Sequence, residues 1–332
     1  MNKTMLHVNN VCWIGGTMFA TYDMCKAYPE FKHHVAYQNN KDDTRVLKMM
    51  MNDGITMSCV PSITKKMLER IDPCVVFFNN TTDRQVDGEW PYDWLKKWPL
   101  IAIHHNPTRP LFQADLDCFV SKDVFDKYSG ILNRMKKYKM VPPCIQTSRY
   151  TKINKEHRKN KKRIMIGKIS NDNPDKFPID LIDIFKEIDS KYDVEFCIIG
   201  GDKYYKNINS QLKKVITPEV GSMEVEKFYA NIDILVYKTN VVETWGRVIT
   251  EAMASSLAIV AENKGGIKDQ IDHGENGFLC DTNEQFVEYI SKLIEDNELR
   301  YEIGLKARSK AVNSFDIKRL KEATIETILL NQ

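Results

Sequence analysis

Short apolar runs alternate with longer polar segments along most of this chain, and that alternation restricts the fold more than any other feature. In the first half the runs are MLHV, HHVAY, CVVFFN, LIAIHH and CFVS, and helices are predicted between them, for example over 18–28 and 63–71. Strands that alternate with helices indicate β-α units built around a parallel sheet. The class predicted is therefore α/β.

A basic stretch, KINKEHRKNKKR at 152–163, interrupts the alternation with seven basic residues in twelve. Such a run cannot be core, so we interpret it as a solvated linker, with a surface patch for phosphates or anionic lipid as the alternative. The alternation then restarts with RIMIGKI, VEFCIIGG, VIT, DILVYK and LAIVAE, and helices are predicted over 180–188, 210–215, 222–230, 246–254 and from there to the end.

A chain of 332 residues exceeds the size at which single cores stop growing, about 250 to 300 residues. We predict two doubly wound domains, 1–150 and 151–315, with a ligand in the crevice between them, because open α/β sheets bind ligands beyond the carboxyl ends of their strands. The segment 316–332 is predicted to be a helix that crosses back to the first domain.

The bulk composition indicates an ordinary intracellular protein. Basic and acidic residues nearly cancel, 48 against 45, which excludes the global basicity of a nucleic-acid coat. The eight cysteines form no C-x-x-C pair, as expected for buried thiols in a reducing compartment. The start MNKTMLHVNN lacks the apolar run of a signal peptide, and no run is long enough to span a membrane. We expect a cytoplasmic location and leave peripheral membrane contact open.

Two glutamates in VVETWGRVITEAMASSLAIVAENKGG are the strongest candidates for chemistry. Glu243 follows the run DILVYK, and Glu251 lies eight positions later in a predicted helix. The residues that lead into that helix are Thr244, Trp245, Gly246 and Arg247. Amide groups at a helix start bind anions, and carboxylates bind hydroxyls. A nucleotide sugar offers both groups, whereas the plain alternative is that the acids are ordinary surface charges near a helix start.

The runs ETWGRVITEAMA, IVAENKGG and HGENGFLCD, in this order and spacing, resemble the C-terminal half of the retaining GT-B-fold glycosyltransferases that carry a Glu-x7-Glu motif. The resemblance implies two Rossmann-like domains facing a central cleft. It also implies a hexosyltransferase activity that moves sugar from a UDP- or GDP-sugar to an acceptor hydroxyl with retention, with no metal and no cofactor. In the family pattern, Glu243 would hold the sugar and Glu251 the ribose.

The same resemblance assigns residues outside the motif. Lys168 and Lys176, in MIGKISNDNPDKFP, would hold the diphosphate, with lysine where the family usually has arginine. A lysine offers a point charge rather than a fork, so we expect a looser grip on the phosphates. Gly15 and Gly16 resemble the family's first loop, where glycines let the backbone approach the donor phosphate or the acceptor. A plain structural turn is the alternative there.

Two histidines end the predicted strand in PLIAIHHNPTRP, where the family often has a histidine facing the transferred sugar. Adjacent strand residues point to opposite faces, so at most one of His104 and His105 has that role, and we favour His105. The nearby Asp115 and Asp117 form an Asp-x-Asp, which in glycosyltransferases of the other common fold holds a metal ion. Here they precede a strand, and we predict that lysines and helix amides supply the positive field instead.

Three alternatives stay open. An epimerase or a dehydrogenase could use the same two-domain frame, although the absence of G-x-G-x-x-G argues against a dehydrogenase. A nucleotide-sugar-binding protein without activity is the second alternative. For an enzyme, the acceptor could be a glycan, a lipid-linked sugar or a small molecule. The basic stretch is the only sign of the third alternative, a modified nucleic acid as the acceptor.

Overall fold

The computed structural model describes the chain except residues 1–2, 13–15, 41–43, 81–85, 89–91, 108–111, 129, 131, 133–134, 151–162, 172, 201–203, 206 and 330–332. The basic stretch therefore lies outside the described residues apart from Arg163. The chain forms two compact units. The first unit comprises Met1–Ile145 and Ile317–Gln332, and the second unit is Gln146–Asp316.

Each unit is built on a fully parallel sheet, as the alternation predicted. In the first unit the described strands run in the order β3-β2-β1-β4-β5-β6-β7, and in the second unit in the order β10-β9-β8-β11-β12-β13. The strands of the first sheet are β1 (Thr4–Cys12), β2 (Lys32–Asn40), β3 (Thr56–Cys59), β4 (Pro73–Asn79), β5 (Leu100–His104), β6 (Leu116–Phe119) and β7 (Tyr138–Met140). Those of the second sheet are β8 (Ile164–Ile169), β9 (Val194–Ile199), β10 (Val215–Ile216), β11 (Ile234–Tyr237), β12 (Ala258–Glu262) and β13 (Phe278–Cys280).

Helices follow most of the strands. The described α-helices are α1 (Gly16–Ala27), α2 (Thr44–Asn52), α3 (Lys65–Ile71), α4 (Lys122–Lys127), α5 (Asp180–Lys191), α6 (Ile208–Gln211), α7 (Val225–Asn231), α8 (Arg247–Ala254), α9 (Asn283–Glu295), α10 (Asn297–Ser314) and α11 (Ile317–Leu329). Short 3-10 turns occupy Asp93–Lys97, Thr147–Arg149, Pro174–Lys176 and Gly265–Asp269. No helix in the described part of the chain is long and apolar enough to cross a membrane.

The central strands are buried on both faces of their sheets, which explains why their sequences are apolar runs. On β4, for example, Val75 and Phe77 pack into one core and Val76 and Phe78 into another on the opposite face. Helices covering both faces are the usual environment of a parallel sheet. The predicted α/β class with a pair of doubly wound sheets is confirmed by this architecture.

The strand order of the second sheet reverses between β8 and β11. The chain runs outward from β8 to β9 and β10, then returns to pair β11 with the other edge of β8, where Ile234 lies opposite Ile166. At such a reversal the connections leave in opposite directions, which opens a crevice at the carboxyl ends of the two strands. Lys168 stands near that end of β8, and Tyr237 is the last residue of β11.

Several predicted elements differ in detail. The strands β3, β7 and β13 were not predicted, and the helix predicted over 210–215 is only the single turn α6. The final helix α11 packs within the first unit, where the Thr324 hydroxyl bonds to the hydroxyl of Tyr28 and Leu320 joins the core. Lys139 also donates a hydrogen bond to the carbonyl of Ala323 at 2.9 Å.

Candidate active site

Lys168 is the most unusual residue at the strand reversal. Its side chain is 0% exposed, and its ammonium Nζ has no hydrogen-bond acceptor among the described residues. The nitrogen instead lies 4.1 Å from the ring centroid of Tyr237 and 5.4 Å from that of Phe177. A buried ammonium that contacts only ring faces retains its full capacity to donate hydrogen bonds to a ligand.

The surroundings of Lys168 lower its pKa to about 7, mainly because burial disfavours the charged form. The positive charge of Lys176 lowers this pKa further, whereas the carboxylates of Glu243 and Glu262 raise it. Bringing negative charge next to the ammonium would raise the pKa again. An anionic ligand bound beside Lys168 would therefore favour its charged form.

Glu243 joins the two lysines into one group. Lys176, at the end of the turn Pro174–Lys176, forms an ion pair with Glu243 Oε1, and both side chains are 14% exposed. The Tyr237 hydroxyl donates to the same oxygen at 2.5 Å. Burial, followed by the charge of Glu243, raises the pKa of Tyr237 well above its ordinary value. We call Lys168, Lys176, Tyr237 and Glu243 the β8–β11 cluster.

Two loops are bonded together to form this cluster. The carbonyl of Asp175, next to Lys176, accepts hydrogen bonds from the Thr239 hydroxyl at 2.9 Å and from the Asn240 amide at 2.8 Å. The Thr239 amide donates to Glu262 at 2.9 Å, which ties the same loop to the end of β12. The loop after β11 therefore has a fixed path, and Glu243 is held beside the lysine turn.

The glycine pair Gly265 and Gly266 holds this loop in place. The Gly266 amide donates to the Glu243 carbonyl at 2.8 Å, and a Cβ atom at either Gly265 or Gly266 would overlap a backbone carbonyl of residues 243–244. Gly265 also has a φ of +58°, in the left-handed region that favours glycine. The pair is needed because two stretches of main chain touch.

Trp245, predicted to bind the donor, is buried in packing contacts. Its indole Nε1 donates to the Thr250 hydroxyl at 2.9 Å, and that hydroxyl donates to Gln270 at 2.7 Å. Its ring meets Phe315 edge to face at 5.1 Å between centroids. Gly246 follows with a φ of +84° and is the N-cap residue of α8. Trp245 therefore anchors the helix start within the second unit.

Glu251 lies on α8, one turn after Arg247. Its Oε2 accepts a hydrogen bond from the Tyr229 hydroxyl at 2.9 Å, and its Oε1 lies 3.2 Å from an Arg247 nitrogen. Burial and the charge of Glu251 raise the pKa of Tyr229 well above its ordinary value. A carboxylate has about four acceptor positions, so it can bond to several donors at once.

The two histidines at the end of β5 have different surroundings. His104 is 0% exposed, and its ring bonds to Asp117 at 2.8 Å and to the Tyr128 hydroxyl at 3.2 Å. The half-buried His105 places its Nε2 3.3 Å from the side-chain oxygen of Asn79. His104 is thus committed to the core of the first unit, and of the two histidines only His105 is partly exposed.

The other predicted positions lie in the first unit. Gly15 is outside the described residues, and the exposed Gly16 is the first residue of α1. In the Asp-x-Asp, Asp115 pairs with Lys136 at 2.8 Å, while Asp117 is the buried partner of His104. The two carboxylates therefore serve different contacts.

Three potential metal ligands that are distant in sequence come together in the first unit. His7, Cys25 and His33 are buried, and their ligand atoms lie within 4.8 Å of one another. The two imidazoles are hydrogen-bonded to each other at 3.1 Å, and His33 also bonds to the carbonyl of Tyr28 at 2.9 Å. Burial lowers the pKa of both histidines, so they stay neutral, which suits a hydrogen-bonded pair inside a core.

Comparison with solved structures defines the class of this fold as GT-B. HepE from Anabaena, solved in complex with UDP, superposes with a TM-score of 0.79 at 17% identity and covers 98% of this chain and 100% of its own. WaaG, described as a glycosyltransferase involved in lipopolysaccharide biosynthesis, superposes with a TM-score of 0.70 at 13% identity, covering 98% and 99%.

Sequence comparison then gives the family. Residues 150–310 match the family described as Glycosyl transferases group 1, so the second unit carries a domain of that family, as the motifs predicted. The glycosyltransferase CapM of Staphylococcus aureus, described as acting in capsular polysaccharide biosynthesis, is 29% identical over 170 residues, which is 48% of this chain and 44% of CapM. The chain thus spans less than half of that relative.

Proposed function

We propose that this protein is a glycosyltransferase that moves a sugar from a nucleotide-sugar donor to an acceptor hydroxyl. The β8–β11 cluster is the observation that carries this proposal. Two lysines and one acid converge at the strand reversal of a glycosyl transferases group 1 domain, and Lys168 has no hydrogen-bond acceptor among the residues that the structure describes. HepE was solved with UDP and with UDP-glucose, which makes UDP-sugars the first donors to test and GDP-sugars the second.

The diphosphate of the donor would bind the two lysines. Negative charge grows on this group as the bond from the sugar C1 to the phosphate oxygen breaks, and positioned cations stabilise that charge. Lys168 would donate to the diphosphate from its buried position, and Lys176 would share its contact between Glu243 and the phosphates. The expected gain is largest in the transition state because the charge is fully developed only there.

Glu243 would accept hydrogen bonds from the sugar hydroxyls, and Glu251 would accept them from the ribose. His105 is the proposed further contact to the transferred sugar. Retention and independence of metal belong to the same proposal. The new bond from the acceptor oxygen to C1 forms on the face that the diphosphate leaves, and the acceptor proton passes to the departing phosphate oxygen. A glycan, a lipid-linked sugar or a small molecule would provide the acceptor hydroxyl.

A thermal-shift screen of UDP- and GDP-sugars tests the proposal, since a ligand that binds only the folded state raises its stability in proportion to ln(1 + [L]/Kd). At least one nucleotide sugar should raise the melting temperature, with NAD as the negative control. The released nucleoside diphosphate should be measured with and without EDTA, and the anomeric configuration of the product determined by NMR. Stabilisation by NAD alone, or by none of these compounds, would refute the proposal.

A further inference from the structure

Tyr237 contacts both charged parts of the β8–β11 cluster at once. It ends β11 at the strand reversal and is 2% exposed. Its hydroxyl donates to Glu243 Oε1 at 2.5 Å, and its ring face lies 4.1 Å from the ammonium of Lys168. One side chain therefore links the acid proposed to hold the sugar and the cation proposed to hold the diphosphate.

The contact with the Tyr237 ring stabilises the buried ammonium of Lys168. A fully buried ammonium is costly unless it has a partner, and no oxygen acceptor bonds to this one within the described part of the chain. The face of an aromatic ring attracts a cation without accepting a conventional hydrogen bond, and the attraction is strongest where water is excluded. Tyr237 thus holds the Lys168 ammonium in place and leaves the N–H groups of that ammonium for a ligand.

The hydroxyl contact fixes the acid. Lys176 and Tyr237 both bond to Oε1 of Glu243, so the carboxylate is oriented through one oxygen. When the phosphates of the donor bind, the Lys176 ammonium would be attracted both to them and to Glu243, so its contact with Glu243 would weaken. The Tyr237 hydroxyl carries no positive charge, so an arriving phosphate does not attract it away from Glu243. This hydrogen bond therefore persists and keeps the carboxylate oriented.

We propose that Tyr237 is a positioning residue of the transfer site, which orients Glu243 through its hydroxyl and retains the charged side chain of Lys168 through its ring. This inference rests on the proposed glycosyltransferase function. The two contacts use different parts of the side chain, so they can be removed separately. Tyr237→Phe removes the hydroxyl and keeps a ring, whereas Tyr237→Leu removes both.

The two variants should differ in their pH profiles. Among the described residues, the charged groups facing Lys168 are Glu243 and Glu262, which favour its protonated form, and Lys176, which opposes it. Activity that needs the ammonium is present below its pKa and is lost as the pH rises through it. Loss of the ring removes an attraction for the cation, so in Tyr237→Leu the alkaline limb of kcat/KM should move to lower pH. In Tyr237→Phe that limb should stay.

Steady-state kinetics of the full chain with the donor found by the thermal-shift screen test the inference. Tyr237→Phe should lower kcat about ten-fold or more with little change in donor KM, because it removes a hydrogen bond to a charged group. The control is Tyr205→Phe, which removes another buried hydroxyl of the second unit, one that donates to the Pro178 carbonyl at 3.0 Å, and should leave kcat unchanged.

The outcomes separate the two proposals. If the wild type is active and Tyr237→Phe has the same kinetics as Tyr205→Phe, the positioning role is overturned and the proposed function stands. The same holds if Tyr237→Phe only raises the KM for the donor and leaves kcat unchanged. An unshifted alkaline limb in Tyr237→Leu overturns the role of the ring, and if that variant does not fold, the Phe variant still decides the role of the hydroxyl. A wild type that binds no nucleotide sugar overturns the function and this inference with it.

Discussion

Replacing Lys168 by methionine should stabilise the second unit while abolishing activity. The side chain is fully buried, and burial lowers the pKa of the ammonium from an ordinary 10.5 to about 7. That difference of about 3.5 pH units corresponds to roughly 5 kcal/mol of folding free energy lost to burying the charge. Loss of the ring contacts offsets about 2 kcal/mol, so Lys168→Met should gain about 3 kcal/mol near neutral pH.

The sign of the pH dependence makes this prediction specific. Below pH 7 the lysine is charged in both the folded and the unfolded chain, so the wild type bears the full cost of burial. Between 7 and 10.5 the folded chain holds the neutral amine while the unfolded chain stays protonated, and the cost falls steadily. The advantage of Lys168→Met should therefore be greatest below pH 7 and shrink as the pH rises.

Urea denaturation of the full chain measures this effect, with the second unit followed by pulsed hydrogen exchange of peptides from β8, β9 and β11. Lys168→Arg is the matched control, since it keeps the charge and should gain no stability. Donor binding should be lost in the methionine variant. The reasoning would be refuted if Lys168→Met is less stable than the wild type at pH 6. It would also be refuted if the gain in free energy of unfolding over the wild type is the same at pH 6 and pH 9.

Three further predictions concern single residues. Glu243→Gln should mainly lower kcat and Glu251→Ala mainly raise donor KM, and steady-state kinetics that are wild-type-like for both would contradict the assigned roles. Gly266→Ala should cost about 1–3 kcal/mol in urea denaturation because its Cβ would overlap a carbonyl oxygen, whereas Gly130→Ala meets nothing within 4 Å and should be nearly neutral. His104→Ala leaves a buried carboxylate unpaired and should destabilise the first unit by about 3 kcal/mol in the same assay, with donor affinity unchanged.

The sequence predicted the central strands well because these strands are buried on both faces and are therefore apolar throughout. The strands that it missed are short and lie at or near the sheet edges. Tyr138–Met140 has exposed residues at both ends, and Thr56–Cys59 has the same pattern, so neither shows an apolar run. Edge strands are defined by pairing with a neighbour, and a sequence window does not contain that neighbour.

The candidate site was predictable in its charged residues but not in its contacts. The motif named Glu243 and the wider family resemblance named the two lysines as candidates. The sequence does not show that Lys176 and Glu243, 67 positions apart, meet through loop paths fixed by backbone bonds. The sequence places Tyr237 only in the predicted strand DILVYK, although a tyrosine that ends a buried strand has a hydroxyl that needs a partner. The contacts of Trp245 with Thr250 and Phe315, and those of the glycine pair with residues 243–244, likewise depend on the tertiary fold and are not visible in the sequence.

The placement of α11 also affects how the protein is made. This helix completes the core of the first unit, but its residues are translated only after the whole of Gln146–Asp316. During synthesis the second unit can fold as soon as it leaves the ribosome, while the earlier-made Met1–Ile145 waits with an uncovered apolar surface. We therefore expect Met1–Ile145 to be most exposed to aggregation before α11 has been synthesised, and a chaperone to matter most in that period.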